Sequence, residues 1–306
     1  MIEISYIICT YNRSKYLKKA LQAIVAQENN YNDIFEIIIV DNNSTDDTRQ
    51  VVEEFIRENQ QINIVYCIEQ KQGLSNARNK GIETAKGTWL VFLDDDAYID
   101  KHYTKNLINF IKDNNNIYKA IGGPIYLDFV GKIPVWYTKY LGSLLGYFKP
   151  YTKSRKFGKN YYPRGSNMIF NKILFEKYGI FNPNLGRFGN LLLGSEEKDI
   201  FQRIYKAKEP VYYLDNIITY HIVHEFRTTK EFIKKQSIGV GLSERLRING
   251  NVKLIIYKIF SELLKWAASL ALFLFYALKG SFQKGIMLIK FRYWILKGLI
   301  TNKNVV

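Results

Sequence analysis

Apolar runs and amphipathic stretches alternate over the first hundred residues. Ile4–Cys9 is a mostly apolar, β-branched run, which predicts a strand covered on both faces. From Ser14, a candidate N-cap, Leu17, Leu21, Ile24 and Val25 recur at helical spacing. Phe35–Val40 predicts a second buried strand. Ser44 and Asp47 then have the spacing of a capping box before a helix whose apolar face is Val51, Val52, Phe55 and Ile56. Ile62–Ile68 is a third strand, Gly73 ends it, a helix covers about Leu74–Ala85, and Trp89–Leu93 is a fourth strand. This alternation specifies βαβ units in an α/β fold, a mostly parallel sheet flanked by helices. Residues 127–163, rich in Tyr, Lys and Gly, are less regular and read as a long excursion over the site. A second αβ stretch runs from Gly165 to about His224, with Tyr212–Tyr220 read as one strand.

Three predicted strands end in polar groups: Thr10-Tyr11-Asn12-Arg13, Asp41-Asn42-Asn43 and Asp94-Asp95-Asp96. Parallel strands place these on one edge, where open α/β sheets bind ligands. The 47% hydrophobic and 24% charged content is that of a globular chain and excludes a disordered or fibrous one. Cys9 and Cys67 lie in apolar runs and read as core thiols. Two cysteines make neither a disulfide framework nor a four-cysteine zinc site. The opening run has an acid at Glu3 and no basic n-region, so it is expected to be a first strand, with the active portion in the cytoplasm.

Net charge is +16, unevenly spread. From Arg227 onward there are 15 Lys/Arg and 3 Asp/Glu, or +12, leaving +4 for everything before. Within that basic tail Leu254–Leu278 is strongly apolar, with an unbroken run of 13 residues from Trp266 to Leu278. That run is short of the roughly 20 residues a spanning helix needs. Lys258, Glu262, Lys265 and Ser269 form one polar stripe along it. Lys279-Gly280-Ser281 breaks the pattern before a second apolar, basic stretch, Phe282–Ile300. A helical hairpin on an anionic membrane face fits this pattern, with Lys and Arg meeting lipid headgroups. Helices packed on the rest of the chain and a true transmembrane hairpin are the alternatives. Nucleic acid is disfavoured, because the charges are interleaved with long aliphatic runs.

The candidate chemistry lies in the acids. Three adjacent carboxylates at a strand end repel one another unless a cation sits among them, and hard oxygen ligands suit Mg²⁺ or Mn²⁺. A simple polar turn is the alternative. Asp41 can accept from a base or ribose, or can make an Asx-turn. Arg78 can grip phosphate, or can lie on a solvated helix face. Tyr11 can stack on a base. Glu196-Glu197, in Gly194-Ser195-Glu196-Glu197-Lys198-Asp199, can supply a general base or merely complement a helix dipole. His221 and His224 follow the last strand pattern, either as ligands or as ordinary core or surface residues.

In order and spacing, IICTYNR, IIIVDNNSTDDT, GLSNARNKGIETAKGTWLVFLDDDA and GSEEKDIFQRI resemble the family 2 glycosyltransferases of the GT-A fold, over about residues 2–225. The resemblance implies inverting transfer from a nucleoside-diphosphate sugar, with uridine as the base. It implies a catalytic domain over 1–225, with a nucleotide-binding half at 1–100 and an acceptor-binding half at 120–225, and a separate helical region at 226–306. Thr10, Tyr11, Arg13, Asp41 and Asn43 would hold the nucleoside end. Arg78 would meet the pyrophosphate, and Asp94 and Asp95 would lie near ribose and phosphate. Asp96, with His221, would bind Mn²⁺ or Mg²⁺. Glu197 would be the base, standing where the family usually has Asp, with Glu196 as the competing assignment. Asn167, in PRGSNMIF, would border the acceptor pocket. The acceptor would be a glycan or a lipid-linked hydroxyl, met at the inner face of the cell membrane, and nucleic acid would not be a partner. A nucleotidyltransferase lacks support because no glycine-rich loop follows strand one. A non-catalytic membrane-surface protein would need neither set of acids.

Overall fold

In the computed structural model the described residues are 3–28, 34–114, 117–159, 161–187, 192, 194–248 and 251–301. The first two residues of the opening run and the end of the basic tail, 302–306, lie outside them. Contacts divide the chain into two compact units. The first comprises 1–128, 147–184 and 196–222, and the second 129–146, 185–195 and 223–306.

The first unit is built on the predicted alternation. In chain order its opening elements are β1 (Ile4–Thr10), α1 (Ser14–Val25), β2 (Phe35–Asp41), α2 (Thr48–Glu58), β3 (Asn63–Ile68), α3 (Leu74–Thr84) and β4 (Trp89–Asp94). There follow β5 (Ala97–Ile99), α4 (Tyr103–Asp113), β6 (Ala120–Gly122), β7 (Ile125–Phe129), β8 (Arg155–Lys156), β9 (Met168–Asn171), α5 (Ile173–Tyr178), α6 (Glu196–Lys206), β10 (Val211–Tyr213) and β11 (Thr219–Val223). The main sheet has the order β3-β2-β1-β4-β9-β6-β10-β8, and a smaller one the order β5-β11-β7. β1 to β4 are parallel, with Thr10 level with Asp41, and Cys9 level with Asp94.

Alternation along these strands feeds two cores. Ile4, Tyr6, Ile8, Ile37, Ile39 and Val91 point to one face, covered by Leu17 and Leu21 of α1, Phe55 of α2 and Leu107 of α4. Ile7, Ile38, Val40, Leu90 and Phe92 point to the other, covered by Ala77 of α3, Phe175 of α5 and Ile200 and Ile204 of α6. Helices α1 and α2 thus lie on one face and α3 on the other, so the winding reverses between β1 and β4. A crevice opens at such a switch point, beyond the carboxyl ends of the strands.

Three local expectations fail. Helix α2 starts at Thr48 with no side-chain cap from Ser44. Asp46 takes that work, accepting the Thr48 N–H at 3.1 Å, while the Ser44 N–H is drawn back to Asp41 Oδ1 at 2.8 Å. Tyr212–Tyr220 is not one strand: a turn at Asp215–Ile217 carries the chain from β10 in the main sheet to β11 in the smaller one. Cys9 and Cys67 are free thiols, and they are half-buried rather than fully in the core.

In the second unit three helices stand together: α7 (Lys230–Ile248), α8 (Val252–Leu278) and α9 (Phe282–Ile300). α9 lies between the other two. α7 adds a third helix to the expected hairpin. Its glycines bring it against α9, since a Cβ on Gly241 would lie 2.1 Å from the Ile295 carbonyl oxygen.

Candidate active site

The carboxyl ends of β1 and β4 lie side by side and carry the first part of the site. Asp95 and Asp96 are buried. The Thr10 hydroxyl donates to Asp95 Oδ2 at 2.9 Å, and Arg13 Nη1 stands 2.9 Å from Asp95 Oδ1 and 2.6 Å from Asp96 Oδ2. Burial pushes the Asp95 carboxyl above its ordinary range, and Arg13 opposes that shift. The Arg13 guanidinium is held above its own ordinary value, chiefly by Asp95.

β11 brings a second ligand type, an imidazole. It pairs with β5 so that His221 faces Ala97, and the Ile222 N–H donates to the Asp96 carbonyl at 2.8 Å. His221 Nε2 thereby comes 3.2 Å from Asp96 Oδ1. Ligand atoms of Asp94, Asp96 and His221 all lie within 4.8 Å of one another. Two carboxylate oxygens and one imidazole nitrogen suit Mn²⁺ well and Mg²⁺ less well, so this donor set fits the expected ion. Asp94 joins the set, whereas the sequence placed it near ribose and phosphate. Asp95 is turned away toward Thr10 and Arg13.

The second part is organised by Arg78, buried on α3. Its Nη1 donates to Glu196 Oε1 at 2.9 Å, and Nη2 stands 3.6 Å from Glu197 and 3.7 Å from Asp94. Burial works against its charge, but Glu196, Glu197 and Asp94 outweigh that and hold it above its ordinary value. Glu196 and Glu197 open α6, directly after Ser195, whose φ of +77° is unusual for a residue with a side chain. Glu197 Oε1 also accepts the Gly165 N–H at 2.8 Å. Burial, then the neighbouring Glu196, pushes the Glu197 carboxyl up to about 7, with Arg78 and Arg164 pulling against them. One carboxylate is thus poised near neutrality while Glu196 is committed to Arg78, a difference of role that their adjacency in sequence conceals.

The remaining expected residues are spread out. Asp41 is buried at the end of β2, where its Oδ2 accepts from the Tyr66 hydroxyl at 2.7 Å. Asn12 and Asn43 adopt left-handed φ of +52° and +64°, a conformation Asn tolerates. Asn12 Oδ1 accepts the Thr45 N–H at 2.7 Å and ties the two loops together. Tyr11 is exposed beside them. Asn167, expected to border the acceptor pocket, is interior. Its amide donates to the Ile217 carbonyl at 2.8 Å, and its oxygen accepts from the Tyr103 hydroxyl at 2.8 Å.

Two residues escaped the sequence reading. Ser166 donates to Asp94 across a short hydrogen bond. A Cβ on Gly165 would lie 2.4 Å from both the Arg78 guanidinium and the Glu197 carboxylate. Both stand in the PRGSN run beside Asn167. Their role follows from β9 pairing antiparallel with β4, Phe92 against Met168, which carries the preceding turn to Asp94.

The sequence profile described as Glycosyl transferase family 2 matches residues 5–179, more than half the chain. The protein is a family 2 glycosyltransferase. It is 26% identical over 254 residues to the glucosyl-dolichyl phosphate glucuronosyltransferase of Haloferax volcanii, covering 80% of this chain and 77% of that protein. In other relatives the match spans far less of the partner, 35% of one and 14% of another. Among solved structures, the mannosyltransferase PcManGT of Pyrobaculum calidifontis, in complex with GDP-Man and Mn²⁺, aligns with a TM-score of 0.65 at 15% identity, over 97% of this chain and 86% of that one. TarS residues 1–349 of Staphylococcus aureus, in complex with UDP-GlcNAc, align at 0.56 and 17% identity, over 97% and 90%. These structural likenesses show the GT-A-like fold. The family 2 enzyme therefore transfers a sugar from a nucleotide-sugar donor.

Proposed function

We propose that this glycosyltransferase is divalent-metal-dependent and inverting, and that it moves a sugar from a UDP-sugar to a hydroxyl of a glycan or lipid-linked acceptor at the cytoplasmic face of a membrane. The observation that carries the catalytic part is the Glu197 carboxyl, pushed up to about 7 beside the Asp94, Asp96 and His221 cluster. Asp94, Asp96 and His221 would hold Mn²⁺ or Mg²⁺. Bound there, the ion would supply positive charge opposite the diphosphate leaving group.

The chain's own residues do the rest. Asp41 offers a carboxylate oxygen to a base N–H, Tyr11 an exposed ring for stacking, and the Asn43 loop closes that end. Thr10 and Arg13 fix Asp95 at the ribose and phosphate end. Arg78 keeps Asp94 and both glutamates at fixed spacing while charge develops on the leaving oxygen. Glu197 removes the acceptor hydroxyl proton as that oxygen attacks the anomeric carbon from the face opposite the nucleotide. Uridine follows from the family resemblance and is supported by the UDP-GlcNAc complex of the fold relative. A lipid-linked acceptor is supported by the dolichyl-phosphate substrate in the name of the Haloferax volcanii relative and by the apolar helix α8.

A thermal-shift panel of sugar nucleotides tests the donor. A UDP-sugar at about 100 times its Kd should stabilise the fold by roughly 2.7 kcal/mol, and only with Mn²⁺ or Mg²⁺ present. A shift by purine sugar nucleotides alone, or one indifferent to metal, overturns the assignment.

A further inference from the structure

We infer that the outer face of α8 is a lipid-facing surface that enters the acyl region of an anionic bilayer, with Lys258 and Glu262 of the same helix turned to α7 and α9. This deepens the membrane part of the proposed function and rests on it.

The polarity of α8 is the reverse of what water selects. Lys258 Nζ stands 3.1 Å from Glu244 of α7, Lys265 Nζ 2.5 Å from Glu262, and Arg292 of α9 donates to Glu262 at 3.3 Å. Ser269 completes the stripe and is buried. On the opposite side Ile256, Phe260, Leu264, Leu274, Phe275 and Leu278 are exposed, Leu278 by 90%. A helix on a soluble domain turns such residues inward and its charges outward. The sequence leads one to expect Lys and Arg at the headgroups; ion pairs from Lys258 to α7 and from Glu262 to α9 draw part of the stripe inward, Lys265 stays half exposed, and the apolar side is left out.

Three further observations choose lipid over a second copy of the chain. α8 has 27 residues, about 40 Å at roughly 1.5 Å per residue, and is the one helix among those described long and apolar enough to cross a membrane. Exposed Lys253 and Lys279 stand at its two ends, where headgroups would lie, in a tail carrying +12. The apolar surface also continues past the α8–α9 turn. There the exposed Ile133 and Val135 line a cleft with Gly280–Lys284. A dimer patch would be rimmed by polar residues.

The test uses the full chain with Cys9→Ser and Cys67→Ser, single cysteines at Leu264, Leu274 or Lys18, and a bimane label. Vesicles are phosphatidylcholine with phosphatidylglycerol, with and without brominated acyl chains. Probes at 264 and 274 should shift to the blue and lose at least half their emission to bromolipid, while the probe at 18 in the first unit stays unchanged. Flotation and UDP-sugar turnover are read on the same samples. A protein that floats while the 264 and 274 probes stay wet overturns this inference and spares the membrane reading. Failure to float overturns both, and turnover shows separately whether the transferase assignment survives. Probes shielded without vesicles, in a particle of twice the mass, assign the face to a second copy and overturn it too. Should the labelled proteins misfold, Leu264→Lys with Leu274→Lys should cut flotation at least tenfold without changing UDP-sugar binding; unchanged flotation contradicts the inference.

Discussion

At the scale of single residues, the proposed mechanism gives two neighbouring glutamates different jobs. Glu197→Gln should lower kcat by about 10²–10⁴ with donor affinity nearly intact, checked by steady-state kinetics and by titration with a UDP-sugar. Because the proposed base must be ionised to act and burial pushes the Glu197 carboxyl up to about 7, the wild-type rate should climb as pH rises through 7, and a residual rate in the glutamine variant should not. The same group affects stability. Its folded pKa lies above the ordinary 4.5, so the folded state holds the extra proton and loses stability as pH rises from about 4.5 to 7. Melting curves at pH 5 and pH 8 should therefore show Glu197→Gln gaining on the wild type at the higher pH. A gap that stays constant would mean Glu197 is not perturbed. The acids themselves were legible in the sequence through the order and spacing of their motifs, although taken singly the triplet could be a polar turn and Glu196-Glu197 a helix start. Arg13 on Asp95 and Asp96, Ser166 on Asp94, and the interior place of Asn167 were not. Each joins segments tens of residues apart, and only strand order decides which of them meet.

At the scale of elements, the parallel strands and their helices could be read closely, since a strand buried on both faces leaves an uninterrupted apolar signature. What could not be read was where a polar residue inside such a strand points. Glu36 interrupts the apolar run of β2, yet it is buried and accepts from the Ser5 hydroxyl at 2.6 Å and the Lys86 N–H at 2.6 Å. It fastens the turn before β4 to the start of β1 and β2. Glu36→Ala should cost about 1–3 kcal/mol in chemical denaturation by leaving that N–H unpaired, with activity per folded molecule unchanged. The turn before β9 makes the opposite prediction. Gly165→Ala pushes a methyl group into the Arg78 and Glu197 termini, and both must move. Overpacking of this kind costs about 1–3 kcal/mol, and here kcat should fall more than KM rises, because the base and its clamp are displaced together. The C-terminal helices were foreseen as a hairpin. α7 was missed because its apolar residues are interrupted by Gly239, Gly241 and Ser243, which read as breaks and serve instead as close-packing positions.

At the scale of the whole molecule, the sequence divides its charge in the way that it divides its chemistry. The candidate catalytic and metal-binding acids are gathered at one sheet edge, and the basic excess follows residue 227. Stripping divalent ions with EDTA should abolish sugar transfer, and Mn²⁺ should restore it better than Ca²⁺, since an imidazole stands in the ligand set. The proposed chemistry needs Asp94, Asp96 and His221 to act together with Glu197. The most direct measurement is UDP release from a UDP-sugar with Mn²⁺ and acceptor, compared among the wild type, Asp96→Asn and Glu197→Gln. The account predicts turnover in the wild type and loss of about 10²-fold or more in each variant, with Mn²⁺ binding lost in Asp96→Asn alone. Wild-type rates in Asp96→Asn, or undiminished transfer in EDTA, would contradict it.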